Sequence, residues 1–232
     1  MRILALTLDL DDTLWPVMPA LERADRELDA YLREHYPSVA HAWPIPAMRE
    51  LRAKVALERP DLAHDFTAQR HITLQQAFAA CGIDDAPLDT LWGIYFTARN
   101  SVELYPDSLP ALERITTHWP VASLTNGNAD LEQIGIRVHF AHHICARDTG
   151  SLKPDRRIFH LAAEQLGIAP GNILHVGDDP ELDVVGARNA GLRTAWINRT
   201  GRHWPKALGA APDLDLRDMT ALADWLDAHP PA

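Results

Sequence analysis

Two carboxylates separated by one residue, Asp9 and Asp11 in Asp9-Leu10-Asp11-Asp12-Thr13-Leu14, follow directly on a short apolar run. In an extended backbone alternate side chains share a side, so the two acids lie one pleat apart. Close carboxylates repel and lose solvation, and a hard dication nearby resolves both problems. Three further segments have the same placement. Ser123-Leu124-Thr125-Asn126-Gly127-Asn128 offers a hydroxyl and a glycine turn whose backbone N–H groups can face an anion. Lys153-Pro154-Asp155 supplies a cation, and Gly177-Asp178-Asp179-Pro180-Glu181-Leu182-Asp183 supplies a second group of acids, with Asp178 at a strand end and Asp183 one helical turn on. Each has an ordinary alternative: a solvated acidic loop, a turn in which Thr125 or Asn128 only caps, a surface lysine, and acids drawn to a helix N-terminus. Those alternatives do not account for the set, in which the members follow one another along the chain, each at an expected strand end.

The runs themselves are Ile3–Leu8, Val121–Leu124, Ile173–Val176 and Thr194–Ile197, continuous in the manner of strands buried on both faces. Helical periodicity separates them at Asp107–Thr117, at Asp155–Leu166 with Ile158, Phe159, Ala162 and Leu166 in phase, and at Glu181–Ala190. Gly167 and Gly191 stand where helix C-caps belong, and Pro154 suits a first helical position. Alternating strands and helices predict an α/β fold, a Rossmann-like doubly wound parallel sheet with ligands beyond the strand C-termini. Residues 16–105 differ, with amphipathic segments at Ala20–His35, Ala47–Glu58, Thr73–Ala80 and Leu88–Asn100 broken by prolines and no buried strand. The expected organisation is a core of residues 1–15 and 106–232 carrying an inserted all-helical cap, residues 16–105. Pro212–His229 is expected to add a last strand and helix, with Pro230 and Pro231 frayed.

Composition narrows the classes of function. A formal net charge of −10 argues against a nucleic-acid partner, which requires clustered Lys and Arg. No stretch approaches the roughly 18 apolar residues of a membrane span, and Met1–Leu8 meets Asp9 before a signal-peptide apolar region develops. Cys81 and Cys145, the two cysteines, lack redox or zinc spacing and read as reduced packing residues of a cytoplasmic protein. His139, His142 and His143 read as part of a surface loop rather than a zinc site.

Together the four motifs resemble the signature of the haloacid dehalogenase superfamily, matched at Asp9-Leu10-Asp11-Asp12-Thr13, Thr125, Lys153-Pro154 and Gly177-Asp178 through Asp183 over nearly the whole chain. An inserted helical cap between the first two motifs is also typical of that superfamily. The resemblance implies that Asp9 is a nucleophile forming a phosphoaspartate and that Asp11 is the acid–base partner. It implies Mg²⁺ held by the Asp9 side chain, the Asp11 backbone carbonyl and Asp178, with Asp179 or Asp183 in support. Thr125, the Asn126 N–H and Gly127 would receive phosphoryl oxygens, and Lys153 would neutralise charge during transfer. Dehalogenases of the superfamily usually lack the second carboxylate, so Asp11 favours phosphatase chemistry; a haloacid dehalogenase, a phosphomutase and a non-catalytic phosphate-binding regulator are the alternative readings. The pattern is similar to the branch acting on flavin mononucleotide and a phosphorylated ribitylaminouracil, which implies a small-molecule phosphate ester as partner and a monomer or weak homodimer. Trp15 is a candidate to stack on a ring of the substrate, with packing as the alternative. Arg70 and Arg99 read as solvated helix residues with anion contact as the alternative.

Overall fold

The computed structural model describes residues 2–230, so Pro231, expected to be frayed, lies outside the described residues. Its central feature is a six-stranded sheet in the order β3-β2-β1-β4-β5-β6. The strands are β1 (Ala5–Leu8), β2 (Val121–Thr125), β3 (His142–Cys145), β4 (Ile173–Gly177), β5 (Arg193–Ile197) and β6 (Leu214–Leu216). All five pairings are parallel. β1, β2 and β4 are buried along their whole length. This explains why they read as unbroken apolar runs, since a parallel sheet covered on both faces leaves no polar face. Leu8 is in register with both Ser123 and Val176, which sets the C-terminal ends of the three central strands side by side. There the strand order reverses about β1, the kind of place where α/β sheets open a crevice.

The helix Arg156–Leu166 packs Ile158, Phe159, Ala162 and Ala163 into a cluster with Ala5, Ala122, Leu124, Ile144 and Ile173. Burying its Ile and Phe contributes about 1.5–3 kcal/mol each. Asp155 caps this helix by accepting from the Arg157 N–H at 2.9 Å, so Pro154 precedes the helix rather than opening it. Gly167 closes it in the left-handed region at φ 66°.

Around the sheet, two elements depart from the sequence reading. The segment expected as a histidine loop is edge strand β3, because His142 and His143 pair with Ala122 and Ser123 while Ile144 and Cys145 are buried. Polar residues at the first two positions hid its pattern. The expected helix Glu181–Ala190 is instead a wide π-type turn, Pro180–Val185, followed by a short helix, Gly186–Asn189.

The chain divides into two compact units. One comprises the chain through Pro16, Glu103–Gly127 and the chain from Gly135 onward, and it contains the sheet. The other, Val17–Val102 with Asn128–Ile134, is helical: Val17–His35, Pro37–Ala42, Ile45–Glu58, Phe66–Ala80, Leu88–Arg99 and the turn Leu131–Ile134. Its core is a stripe of Ala24, Leu28 and Leu32 against Leu74, Phe78, Leu91 and Tyr95. The Phe66 helix starts earlier than periodicity suggested because Asp65 accepts from the Ala68 N–H at 2.9 Å, a side-chain N-cap. Pro37, read as a break, is the first residue of a helix, where its missing N–H costs nothing. Asn128–Ile134 joins the helical unit through side chains, as Arg99 Nε donates to Asn128 Oδ1 at 3.1 Å and the Asp130 N–H donates to Asn100 Oδ1 at 2.8 Å. No helix among the described residues is long and apolar enough to cross a membrane.

Candidate active site

Asp9 follows the last residue of β1 and is fixed by its N–H donating to the Val176 carbonyl at 2.9 Å. Its buried carboxylate receives Lys153 Nζ at 2.5 Å on Oδ1 and Thr13 Oγ1 at 3.4 Å on Oδ2. Lys153 lies beyond β3 and is placed by Asn126, whose side-chain amide donates to the Lys153 carbonyl at 2.9 Å and accepts its N–H at 2.7 Å. One asparagine thus locks the second motif to the third. The same ammonium donates to Asp183 Oδ1 at 2.6 Å.

Asp183 is almost fully enclosed, and its two oxygens also accept from His175 Nε2 at 3.1 Å and from the Asp179 N–H at 2.9 Å. Burial pushes its pKa up, but Lys153 and His175 overcome that and hold it below the usual carboxylate range. Burial depresses His175, against the pull of Asp183, so the ring is neutral. Because Asp183 only accepts, the ring proton sits on Nε2, and Nδ1 accepts from the Thr7 hydroxyl at 2.8 Å. Thr7, Asp9 and His175 share one face of the sheet, Thr7 being paired with His175 in register. Gly177 is required for this: a Cβ there would stand 2.2 Å from Asp183 Cγ. The glycine makes room for a carboxylate to cross the strand end.

Asp178 completes the group. Thr13 Oγ1 lies 3.4 Å from its Oδ1, and Trp196 Nε1 donates to its backbone carbonyl at 2.7 Å. Carboxylate oxygens of Asp9, Asp178 and Asp183 all lie within 4.8 Å of one another. Burial, then Asp183 and Asp12, push the Asp178 carboxyl up to about 7. Asp9 is likewise raised, by burial and by Asp183 and Asp178, although Lys153 opposes them. Lys153 is itself raised by Asp183 and Asp9 against its burial. One ammonium, bonded to Asp9 and Asp183, therefore serves a cluster of three carboxylates, and the all-oxygen donor set fits a hard divalent cation such as Mg²⁺. Asp183, already holding three donors, is less available to a metal than Asp9 and Asp178.

Several expected site residues have other duties. Asp179 accepts the Glu181 and Leu182 N–H groups on Oδ1 at 2.8 Å each, so its carboxylate caps the following turn. The Gly127 N–H donates to Thr125 Oγ1 at 3.0 Å, which makes Gly127 a turn-former rather than a phosphate donor; the buried Thr125 hydroxyl still has its own proton to give. Trp15 has no accessible surface and so offers no ring face to a substrate. Its indole Nε1–H donates instead to Asp11 Oδ1 at 2.8 Å. Arg70 and Arg99, expected on solvated faces, are both buried: Arg70 lies 3.4 Å over the Tyr95 ring, and Arg99 holds Asn128.

The sequence reading missed His175, Thr13 and Arg199. Arg199 grips Asp107 with two hydrogen bonds of 3.0 Å, donates to the Thr13 carbonyl at 2.9 Å and lies 3.8 Å over Tyr105, bracing the loop that follows Asp9. Thr7 and His175 were discoverable, since the two-residue period places each on the face that leads to a motif acid. Arg199 had no such signal.

A family model described as a haloacid dehalogenase-like hydrolase matches residues 3–191, a span that includes all four motifs. The chain belongs to this family. Among this hydrolase's relatives, the 5-amino-6-(5-phospho-D-ribitylamino)uracil phosphatase YigB of Escherichia coli (strain K12) is 32% identical over 200 residues, 84% of each chain. An (S)-2-haloacid dehalogenase of Pseudomonas sp. (strain YL) is 30% identical over 238 residues, 97% of this chain and 95% of the other. A crystal structure of a 2-haloacid dehalogenase from Pseudomonas syringae pv. Tomato DC3000 superposes with a TM-score of 0.88 at 31% identity, covering 97% of this chain and 100% of that one. The family is shared by phosphatases and dehalogenases, so the chemistry has to be read from the site.

Proposed function

We propose that this hydrolase cleaves small-molecule phosphate monoesters through a phosphoaspartate on Asp9. An Asp9 oxygen bonds to phosphorus as the ester P–O bond breaks, and Asp11 gives its proton to the departing oxygen. Water then attacks the same phosphorus and yields its proton to Asp11, while the Asp9–phosphoryl bond breaks, releasing inorganic phosphate and restoring the carboxylate. Lys153, bonded to Asp9 at 2.5 Å, stabilises the charge that gathers during both transfers, and Thr125 donates to a phosphoryl oxygen. Mg²⁺, held by the Asp9 and Asp178 side chains and the Asp11 carbonyl, would supply the positive charge that the three clustered carboxylates lack.

The observation that carries this reading is the convergence of Asp9, Asp178 and Asp183 to within 4.8 Å around a single lysine, with the further carboxylate Asp11 two residues beyond Asp9. A halide leaves without a proton and gives a dehalogenase no use for that last group. Similarity to the ribitylaminouracil phosphatase over 84% of the chain supports a ring-bearing phosphate of the riboflavin route, or flavin mononucleotide, as substrate. The protein would act on such metabolites in the cytoplasm as a monomer or weak homodimer, without nucleic acid or membrane as partner.

The test is turnover of p-nitrophenyl phosphate by the purified chain with Mg²⁺, then with chelator, beside halide release from 2-chloropropionate. Phosphatase activity that the chelator abolishes is expected. Halide release without phosphate release would assign the chain to the dehalogenases instead. A panel of phosphorylated metabolites including flavin mononucleotide then ranks substrates by kcat/KM.

A further inference from the structure

A buried chain of hydrogen bonds runs from Thr7 through His175 and Asp183 to Lys153, and ends at the nucleophile. His175 is paired in register with Thr7 on the neighbouring strand, and both side chains are buried. The Thr7 hydroxyl donates to Nδ1 at 2.8 Å, so the ring proton is on Nε2, which donates to Asp183 Oδ1 at 3.1 Å. Both ring nitrogens are thus committed, and the Phe159 ring packs perpendicular to the imidazole with centroids 5.0 Å apart. Asp183 Oδ1 is also the oxygen that receives Lys153 Nζ at 2.6 Å, and the same ammonium reaches Asp9 Oδ1 at 2.5 Å. The other Asp183 oxygen, Oδ2, accepts the Asp179 N–H at 2.9 Å.

We infer that His175 is a positioning residue for Lys153: by holding Asp183 Oδ1 it fixes where the ammonium stands, and so keeps one ammonium proton directed at Asp9. The inference rests on the phosphatase reading, in which Lys153 stabilises charge during transfer. The backbone N–H on Oδ2 anchors one end of the Asp183 carboxylate, and a carboxylate anchored at one oxygen can pivot about it. Lysine, on a flexible four-carbon stem, cannot anchor the other end by itself, whereas an imidazole locked by Thr7 and Phe159 can. Without the imidazole, Oδ1 swings and takes the ammonium with it. A displacement of about 1 Å is enough to spoil the match with charge that develops at the reacting group. The loss therefore falls on the transfer step and spares ground-state binding.

Two amides separate this role from simple packing. In His175→Gln the amide nitrogen can take the place of Nε2 and still donate to Asp183; in His175→Asn the amide reaches only the place of Nδ1, facing Thr7. With p-nitrophenyl phosphate, His175→Asn is expected to lower kcat at least about tenfold with KM within about threefold of wild type, while His175→Gln keeps kcat within about threefold. Equal losses in the two variants, a loss carried by KM, or full activity in His175→Asn would overturn the role of His175. Wild-type protein inert toward the ester would instead overturn the phosphatase reading, a separate outcome. If neither variant folds, the native ring can be observed: in isotope-labelled protein at neutral pH the His175 nitrogen resonances should report a proton on Nε2 and none on Nδ1, and a proton on Nδ1 defeats the proposal.

Discussion

Both units bury charge, and they resolve it in opposite ways. In the helical unit, Arg70 is 8% exposed, lies 3.4 Å over the Tyr95 ring and has Asp25 at 3.8 Å, while Asp25 also receives Arg49 Nε at 2.7 Å. Burial lowers the Arg70 pKa, but Tyr95 and Asp25 counter it, so the cation is covered by an aromatic face and an acid. At the end of the sheet, Lys153 pairs with Asp9 and Asp183 while Asp178 stands beside them and a neutral His175 behind, so three acids share one cation. A fold optimised only for stability avoids such an excess, because buried charges without partners are costly. The helical arrangement reads as packing, and the sheet-end arrangement as a site prepared for a cation and a phosphoryl group.

Removing the nucleophile tests this contrast most severely. Asp9→Asn is nearly isosteric, so the expected result is a folded protein whose kcat falls at least about 10³-fold in steady-state assays, with no phosphoenzyme trapped on acid quench. Activity near wild type would remove Asp9 from the chemistry. Next in size is Lys153→Met, which takes the only ammonium from between Asp9 and Asp183. It should lose about 3–5 kcal/mol in urea titrations without metal, because the carboxylates are left unpaired, and should lose most of its activity. A stability unchanged by this substitution would mean that the acids are not charged in the native state.

Three of the four motifs were legible because each is tied to the end of a buried strand, where an apolar run meets a polar residue; Lys153, beyond the short helix that follows β3, was legible only as part of the set. Asp9, Lys153, Asp178 and Asp183 could be named in advance, and they lie together. What joins them was harder to see. Asn126 works through its side chain on the Lys153 backbone, Thr13 lies 3.4 Å from both Asp9 and Asp178, and Arg199 reaches the Thr13 carbonyl from the far end of the chain. Such contacts depend on register between distant strands, which no local pattern encodes. β3 escaped for a different reason: an edge strand opening with His142 and His143 has only Ile144 and Cys145 buried, too short a run to recognise. In the helical unit four helices were legible, but the short helix Pro37–Ala42 was not, and neither was the burial of Arg70 and Arg99, since a guanidinium on an amphipathic helix looks the same whether it faces water or an aromatic ring.

Gly177 offers a subtler way to separate the units, because it tests crowding rather than charge. Its place is set by Asp183, whose Cγ lies 2.2 Å from where a Cβ would stand. Gly177→Ala must displace a carboxylate bonded to Lys153 and His175, and a cost of about 1–3 kcal/mol is expected with a fall in kcat. Gly93, on the Leu88–Arg99 helix, has nothing within 4 Å of a built Cβ. Gly93→Ala should therefore stabilise slightly, by about 0.5–1 kcal/mol, through helix propensity alone. Opposite signs in urea titrations sharpen the contrast, and matching signs would undo it.

The smallest activity effect belongs to Arg70→Met. Methionine keeps the length of the side chain and its contact with Tyr95 but gives up the cation, so the loss is the cation–π attraction and the long ion pair to Asp25, about 1–2 kcal/mol. Part of that loss returns, because a guanidinium no longer has to be buried, as the depressed Arg70 pKa already indicates. The variant should thus unfold at slightly lower urea while its kcat on p-nitrophenyl phosphate stays within about threefold of wild type, far from the Asp9→Asn result. Should Arg70→Met instead destroy turnover with little change in stability, the buried cation of the helical unit would belong to the chemistry, and the division between a packed charge and a prepared one would no longer follow the division between the units.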